Sequence, residues 1–295
     1  MNINFEYYKI FYYVAKYGNL TKAAHVLGNS QPNITRAMNC LESEIRCTLF
    51  IRTNRGVRLT PEGERLYTRV SAAMAQLQLA EEELTDSTGL EHGSISIGAS
   101  ETALSIYLLE RLKHFHMTYP NIRLKIYNHS TPQAVHSVKN GEIDFAIVTT
   151  PTTAKPPLKE IRLESFREVL VGGKTFTALS SQTLTLAELK NYPLICLGRE
   201  TMTFAFYHQL FLSHGLELEP DTEAATTDQI LPLVKSDLGL AFIPESMAIP
   251  AIQNHEVIPI QLQETIPCRY VCMVSDVKRP LNSAARKLKD LILHS

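Results

Sequence analysis

Disulfide, metal and membrane chemistry have little to work with in this chain. Its five cysteines, Cys40, Cys47, Cys196, Cys268 and Cys272, form no CxxC pair and no metal-ligand cluster, and their odd count argues against a disulfide framework. Reduced thiols in a cytoplasmic protein are the expectation. No apolar run approaches the roughly 20 residues needed to cross a bilayer, and the opening MNINFEYYKIF lacks the basic-then-apolar order of a signal peptide. Low-complexity segments and internal repeats are also missing. So are the motifs of common enzymes: HExxH, GxSxG and GxGxxG do not occur. Gly172-Gly173-Lys174-Thr175 has the end of a phosphate-binding loop, but Glu168 stands where that pattern needs its first glycine. His114 and His116 are two apart in a helical stretch, so they point to different faces and make a poor metal pair. We expect no catalytic residue, metal or cofactor.

At 295 residues, 44% of them hydrophobic, the chain is long enough for two or three domains with a core in each. Its most informative stretch is residues 20–63, LTKAAHVLGNSQPNITRAMNCLESEIRCTLFIRTNRGVRLTPEG. A helix over residues 21–27 carries Ala23 and Ala24, where another helix can approach closely, and stops at Gly28, which tolerates the left-handed turn required. Ser30 can cap a second helix with Pro32 in its first turn, where the missing N–H costs nothing. Ile34, Met38, Leu41 and Ile45 then recur at 4, 3 and 4, one apolar stripe facing a core. The opposite face is Gln31, Asn33, Thr35, Arg36 and Asn39, close to the set that reads base edges and grips phosphates in a major groove.

Residues 50–52 and 57–59 read as two short strands joined by a turn at Asn54, Arg55 and Gly56, a wing carrying Arg52, Arg55 and Arg58. Charge agrees. Residues 1–65 contain nine basic side chains against five acidic ones, although the whole chain is formally at -1, so the basic surface is local, as a phosphate footprint should be. After Thr60-Pro61, a good helix start, Leu66, Val70, Ala73, Leu77, Ala80 and Leu84 alternate spacings of 4 and 3. That is the seam of a coiled coil, which calls for a partner helix. Glu81, Glu82, Glu83 and Asp86 form an acidic end, and the helix is expected to stop near Gly89, with Gly93 as hinge.

Beyond the hinge, residues 95–99, 123–127 and 143–148 read as strands and residues 102–119 and 133–139 as helices, a βαβαβ run that implies a parallel sheet covered on both faces. A second set follows from about Arg162, with strands near 168–171, 194–196 and 240–243 and helices near 186–190, 204–214 and 229–235. A strand at 270–274 and a helix over 282–293 return to the first lobe.

The positions Phe11, Ala23-Ala24, Leu27, Gln31-Pro32, Arg36, Leu41-Glu42, Leu49-Phe50, Arg52, Arg55, Leu59-Thr60 and Gly63 together resemble the N-terminal domain of LysR-type transcriptional regulators. Arg46 departs from that pattern, which usually has Gly there, as does Asn19-Leu20, and farther on Asp237 takes a place often held by Gly. The resemblance implies an α/β protein: an N-terminal winged helix-turn-helix with a long linker helix, then a two-lobed α/β periplasmic-binding-protein-like regulatory domain. It places a DNA-binding domain at 1–60, a linker and dimerisation helix at 61–89 and an effector-binding domain at 93–295, with lobe I at about 93–161 and 268–295 and lobe II at about 162–267.

The function implied is sequence-specific DNA binding and transcriptional control in response to a small-molecule effector, a small carboxylate or another polar metabolite. DNA contacts would come from Gln31, Pro32, Asn33, Thr35, Arg36, Asn39, Arg52 and Arg55. The effector would meet Ser100, Glu101, Thr102, Ser130, Thr131, Thr149, Thr201, Met202, Thr203 and Thr227, with Thr226 beside it, at helix N-termini whose free N–H groups favour an anion. Glu101 complicates a purely anionic ligand and could pair with an amino group. Expected partners are a double-stranded DNA operator, a small-molecule effector and further copies of the chain in a homodimer or homotetramer, with room for contact with RNA polymerase and no membrane. The alternative within the same family is a thiol-based redox sensor, which would need two reactive cysteines close together.

Overall fold

The computed structural model describes residues 3–53, 56–85 and 93–294, in two compact units, Met1–Ser87 with Asn140–Glu142 and Thr88–Lys139 with Ile143–Ser295. The first begins with α1, Phe5–Tyr17, which ends at Gly18 in the left-handed conformation (φ 59°). Asn19 caps α2, Leu20–Val26, by accepting the Lys22 amide at 2.9 Å. In α3, Gln31–Ile45, Ser30 is the cap and Pro32 sits in the first turn. Arg46 follows with φ 57°. Its amide donates to the Ser43 carbonyl and that of Cys47 to the Glu42 carbonyl, the paired closure that normally recruits glycine at this position. The hairpin of β1, Phe50–Thr53, and β2, Gly56–Leu59, pairs Phe50 with Leu59 and Thr53 with Gly56.

The linker helix α4 spans Pro61–Thr85. Its expected seam divides. Leu66 and Val70, joined by Met74, pack into the core of their own unit with Phe11, Ile34 and Leu41, because α1 lies along the start of α4 and covers that face. Ala73 and Leu77 remain exposed, Leu77 by 44%. Among the described side chains, the seam is therefore open only from Ala73 onward. Arg55, Asp86, Gly89 and the side chains of Ala80, Glu82, Glu83 and Leu84 lie outside the described residues.

The second unit opens with β3, Gly93–Ala99, followed by one long helical run: α5, Glu101–Ala103, a π-helical segment, Leu104–Leu108, and α6, Leu109–Thr118. Then come β4, Ile122–Asn128, α7, Thr131–Asn140, β5, Phe145–Thr149, and β6, Leu158–Phe166. The next lobe is built from β7, Glu168–Gly172, β8, Thr183–Leu184, β9, Ile195–Leu197, α8, Met202–Ser213, β10, Thr222–Ala224, α9, Thr227–Lys235, β11, Ala241–Pro244, α10, Glu245–Gln253, and β12, Ile258–Leu262. The segment expected as a helix near 186–190 is a 3-10 helix, Leu186–Asn191. The chain closes with β13, Arg269–Asp276, and α11, Ser283–His294.

Lobe I is a five-stranded sheet in the order β4-β3-β5-β13-β6. The parallel run expected from the alternating pattern is present in β3, β4 and β5, whereas β13, to which that pattern assigns no direction, runs against both of its neighbours. The reason is topological. β6 leaves the sheet at Phe166 and β13 enters it beside that point, at Arg269, so β13 must run back the other way. β6 also corrects the lobe boundary, since the strand stays in the first sheet to Phe166 rather than leaving near 161. One face of the sheet carries Ile95, Ile97, Phe145 and Met273 against Phe115 and Leu288, the other Ala146, Val148 and Val274 against Val138. Lobe II has the order β11-β7-β12-β8 with β9 and β10 as a parallel pair, joined by a bridge between Leu194 and Leu240.

Candidate functional site

Two surfaces collect the residues of interest, one in each unit. In the first, Gln31, Pro32, Asn33, Arg36 and Asn39 are exposed along α3 and Thr35 is half-buried, because Ile34, Ala37, Met38 and Leu41 take the inner face. Gln31 Nε2 donates to Thr35 Oγ1 at 3.1 Å, and Arg52 Nη2 donates to Asn39 Oδ1 at 2.6 Å. The second bond ties wing to helix. Gln31 and Arg52 also line a shallow groove of about 240 Å³ with Asn19, Leu20, Thr21, Gly56 and Val57. Asn19 and Thr21 were missed as surface candidates, although their place at the start of α2 puts helix-terminal N–H groups beside the groove, a setting that suits a phosphate. Gly56 is required there: a Cβ would lie 2.4 Å from the Gly18 carbonyl oxygen, to which Val57 donates its amide at 2.9 Å. Arg55 is outside the described residues.

In the second unit a cavity of about 280 Å³ opens between the two lobes. Ser100, Glu101, Thr102, Ser130, Thr131 and Thr149 line it from lobe I, and Thr201, Met202, Thr203, Thr226 and Thr227 from lobe II. All ten effector-site candidates are thus brought together. The helices explain why. Ser100 caps α5 and Thr201 caps α8 through the Phe204 amide at 3.1 Å, so each N-terminus ends at the cavity. Thr102 and Thr227 share a hydrogen bond of 3.2 Å that joins the lobes directly. Glu101 accepts from Ser105 Oγ at 3.1 Å and from Asn128 Nδ2 at 3.3 Å.

Sequence reasoning missed Asn128, His129, Gln133, Leu197, Glu200 and Ala225 on the same lining. Asn128 and His129 could have been found, since Asn128 ends β4 and His129 begins the short loop that carries Ser130. Nδ1 of His129 is buried with no hydrogen-bond partner among the described residues. Reasoning also missed Arg269, which is 1% exposed at the start of β13. Its Nη1 meets Glu168 Oε1 at 2.6 Å, its Nε donates to the Thr150 carbonyl at 3.0 Å, and its Nη2 donates to Thr149 Oγ1 at 2.9 Å and Thr203 Oγ1 at 3.0 Å. Tyr207 donates its hydroxyl to the same glutamate. Burial, reinforced by the Glu168 charge, raises the Tyr207 pKa well above the ordinary phenol value, so it stays protonated. A buried charge is tolerated only when paired and hydrogen-bonded, and here both conditions hold.

Burial also pushes the Cys196 and Cys272 thiols up to about 12, while Cys268 is exposed. Among the described residues, no group of His, Cys, Asp and Glu could hold a metal ion, and no helix is long and apolar enough to cross a membrane.

Known proteins share this fold over nearly the full chain. HTH-type transcriptional regulator GltR of Bacillus subtilis (strain 168) is 25% identical over 254 residues, 86% of this chain and 82% of GltR. A full-length variant of OxyR from Pseudomonas aeruginosa superposes with a TM-score of 0.75 at 18% identity, covering 99% of this chain and 94% of that one. Full-length CbnR in complex with its target DNA gives 0.68 at 19% identity, covering 98% of each. The LysR substrate binding domain family matches residues 88–295, and the family described as bacterial regulatory helix-turn-helix protein, lysR family, matches residues 5–64. The chain therefore belongs to the LysR family: it is a DNA-binding transcriptional regulator with an effector-binding domain, not an enzyme.

Proposed function

We propose that this regulator holds its operator with α3 and the wing and changes its action on transcription when a small polar metabolite, such as a small carboxylate, occupies the cavity between the lobes. Residues 1–60 would serve as the DNA-binding part, 61–89, which include α4, as the linker and dimerisation segment, and 93–295 as the effector-binding part. The observation that carries the reading is the cavity, where hydroxyls and helix N-termini from both lobes converge on a space of about 280 Å³. That is near the small end of the range for ligand pockets, about 300–1,000 Å³. A ligand bridging both lobes binds one interlobe arrangement better than others and so shifts the population toward it.

CbnR, a LysR family regulator, has been captured on its target DNA. This chain would approach an operator with Gln31, Pro32, Asn33, Thr35, Arg36 and Asn39 in the major groove and Arg52 and Arg55 near the backbone. The exposed Ala73 and Leu77 of α4 are the apolar positions through which two copies would pair, giving a homodimer or a homotetramer built from it. A thiol-based response has no comparable support. Thiols held near 12 at Cys196 and Cys272 carry little thiolate at neutral pH. The test is a metabolite screen on the full chain by thermal shift, followed by operator titrations with each stabilising compound. A compound that raises the melting point and alters operator binding supports the reading, and a screen in which none does both sinks it.

A further inference from the structure

We propose that Arg269 fixes the hydrogen-bond polarity of this cavity, so that the effector is a small zwitterion: its carboxylate meets the hydroxyls of Thr149 and Thr203, and its ammonium group faces Glu101 and Glu200. The proposal deepens the effector reading above and rests on it.

Proton accounting leads to the first half. A guanidinium only donates. Its Nη2 spends both hydrogens on Thr149 Oγ1 and Thr203 Oγ1, so both threonine oxygens accept, and each hydroxyl must point its own hydrogen elsewhere. Neither hydrogen finds an acceptor among the described residues. Both side chains line the cavity, and Thr149 is only 3% exposed. Of the Thr102 and Thr227 hydroxyls, whichever donates in their shared bond leaves the other's hydrogen free. The cavity therefore offers three unaccepted O–H donors from buried or half-buried threonines, close to the N-termini of α8 and α9. A buried donor without an acceptor is costly, and a carboxylate has lone pairs enough to take all three. Arg269 supplies direction rather than charge, because Glu168 neutralises it at 2.6 Å.

The second half follows from the ionised side chains on the lining. No lysine or arginine is among them, and Glu101 and Glu200 are. Glu101 is held in place by Ser105 and Asn128. A second anionic group on the ligand would meet repulsion from both carboxylates, whereas an ammonium group would be attracted. Amino acids, α or ω, have this pattern; dicarboxylates do not.

The experiment uses the full chain and probe sets sharing one carbon skeleton: the proteinogenic α-amino acids, 4-aminobutyrate and 5-aminovalerate, each beside its deaminated acid, its decarboxylated amine and its primary amide, together with succinate and glutarate. Binding is read by calorimetry. At least one amino acid should bind, with its deaminated acid, its amine and its amide weaker by tenfold or more. A dicarboxylate, deaminated acid or amine binding as tightly overturns the zwitterion but leaves an effector cavity. Silence from all of these while a panel of sugars and nucleosides binds does the same, and silence from that panel too overturns the effector reading itself.

The role of Arg269 is tested with Arg269→Met combined with Glu168→Met, which removes the buried pair together. Thr149 and Thr203 are then free to accept as well as donate, so the acid-over-amide preference should fall about tenfold. A merely structural loss would weaken acid and amide alike and leave the ratio as it was, which would overturn the assignment. Thr149→Val gives the same comparison without disturbing the ion pair, and an unchanged ratio there also counts against the proposal.

Discussion

Oε1 of Glu42, near the end of α3, accepts the backbone amide of Leu49 at 2.6 Å. The same oxygen takes the Phe50 amide at 3.0 Å. One carboxylate on α3 thus satisfies two N–H groups where the wing begins, and bonds of this kind are short and roughly twice as strong as neutral ones. Replacing Glu42 by Ala leaves both amides without that acceptor and should cost about 1–3 kcal/mol of stability. Chemical denaturation would measure it. Operator affinity should drop in step, because the wing loses its anchor to α3, and a variant of unchanged stability would show that the bond contributes nothing net.

The exposed face of α3 makes a second prediction. Gln31→Ala and Arg36→Ala should each narrow the gap between specific and nonspecific DNA by about 1–3 kcal/mol. Arg52→Ala should weaken all sequences more evenly, since its guanidinium is held beside the helix by Asn39 as a backbone contact would require. Operator and random-sequence titrations at two salt concentrations separate these outcomes.

Leu77 tests assembly. Exposed in the single chain, it would be buried in a paired linker helix, where Leu77→Asp would place a charge without a partner at a cost of several kcal/mol. Sedimentation should then show monomers. Because Val70 and Met74 are already committed to the core of their own unit, Val70→Asp should instead unfold the DNA-binding part, and circular dichroism would distinguish the two variants.

Arg46 and Asp237 both hold positive φ, 57° and 61°, at helix ends closed by the same pair of backbone bonds. Left-handed backbone costs a non-glycine residue about 1–2 kcal/mol, so Arg46→Gly should raise stability by about 0.5–1 kcal/mol after the extra freedom glycine gains in the unfolded chain. Asp237→Gly should gain nothing, because Oδ1 of Asp237 accepts the Thr175 amide at 2.9 Å and that bond would be lost. Paired thermal melts of the two variants check the contrast.

The parts legible in the sequence were those set by local signals. Ser30, Pro32 and the 4, 3, 4 stripe from Ile34 to Ile45 are cap, first turn and buried face of one helix, and no distant contact competes with them. The hydroxyls of the cavity were legible for a related reason: apart from Thr149, which ends β5, they cap a helix or sit in its first turn, and helix N-termini gather at the ends of the strands in an α/β lobe. Arg269 was not. Its neighbours in sequence, Cys268 and Tyr270, give no hint of it, and its partners Thr149, Glu168 and Thr203 lie 120, 101 and 66 residues away. The linker seam was half legible because a heptad pattern cannot say which turns are already covered by α1. The reversed β13 was hidden in the same way, since its direction depends on where the chain returns from lobe II and not on its own residues.

That return has a mechanical consequence. The chain passes from one lobe to the other between Phe166 and Glu168 and comes back just before Arg269, and Phe166 and Arg269 are paired neighbours. Two tethers side by side have the geometry of a hinge axis, about which a change of interlobe angle would involve little sliding of one lobe past the other. Arg269 sits on that axis, and the Thr149 and Thr203 hydroxyls it grips are within a bond's length of the fulcrum. A guest seated there needs to change the angle by only a few degrees, on the order of a small hinge motion, for the far ends of both lobes to travel through a much longer arc. Leverage of this kind would let a molecule of a few atoms redirect a surface it never touches.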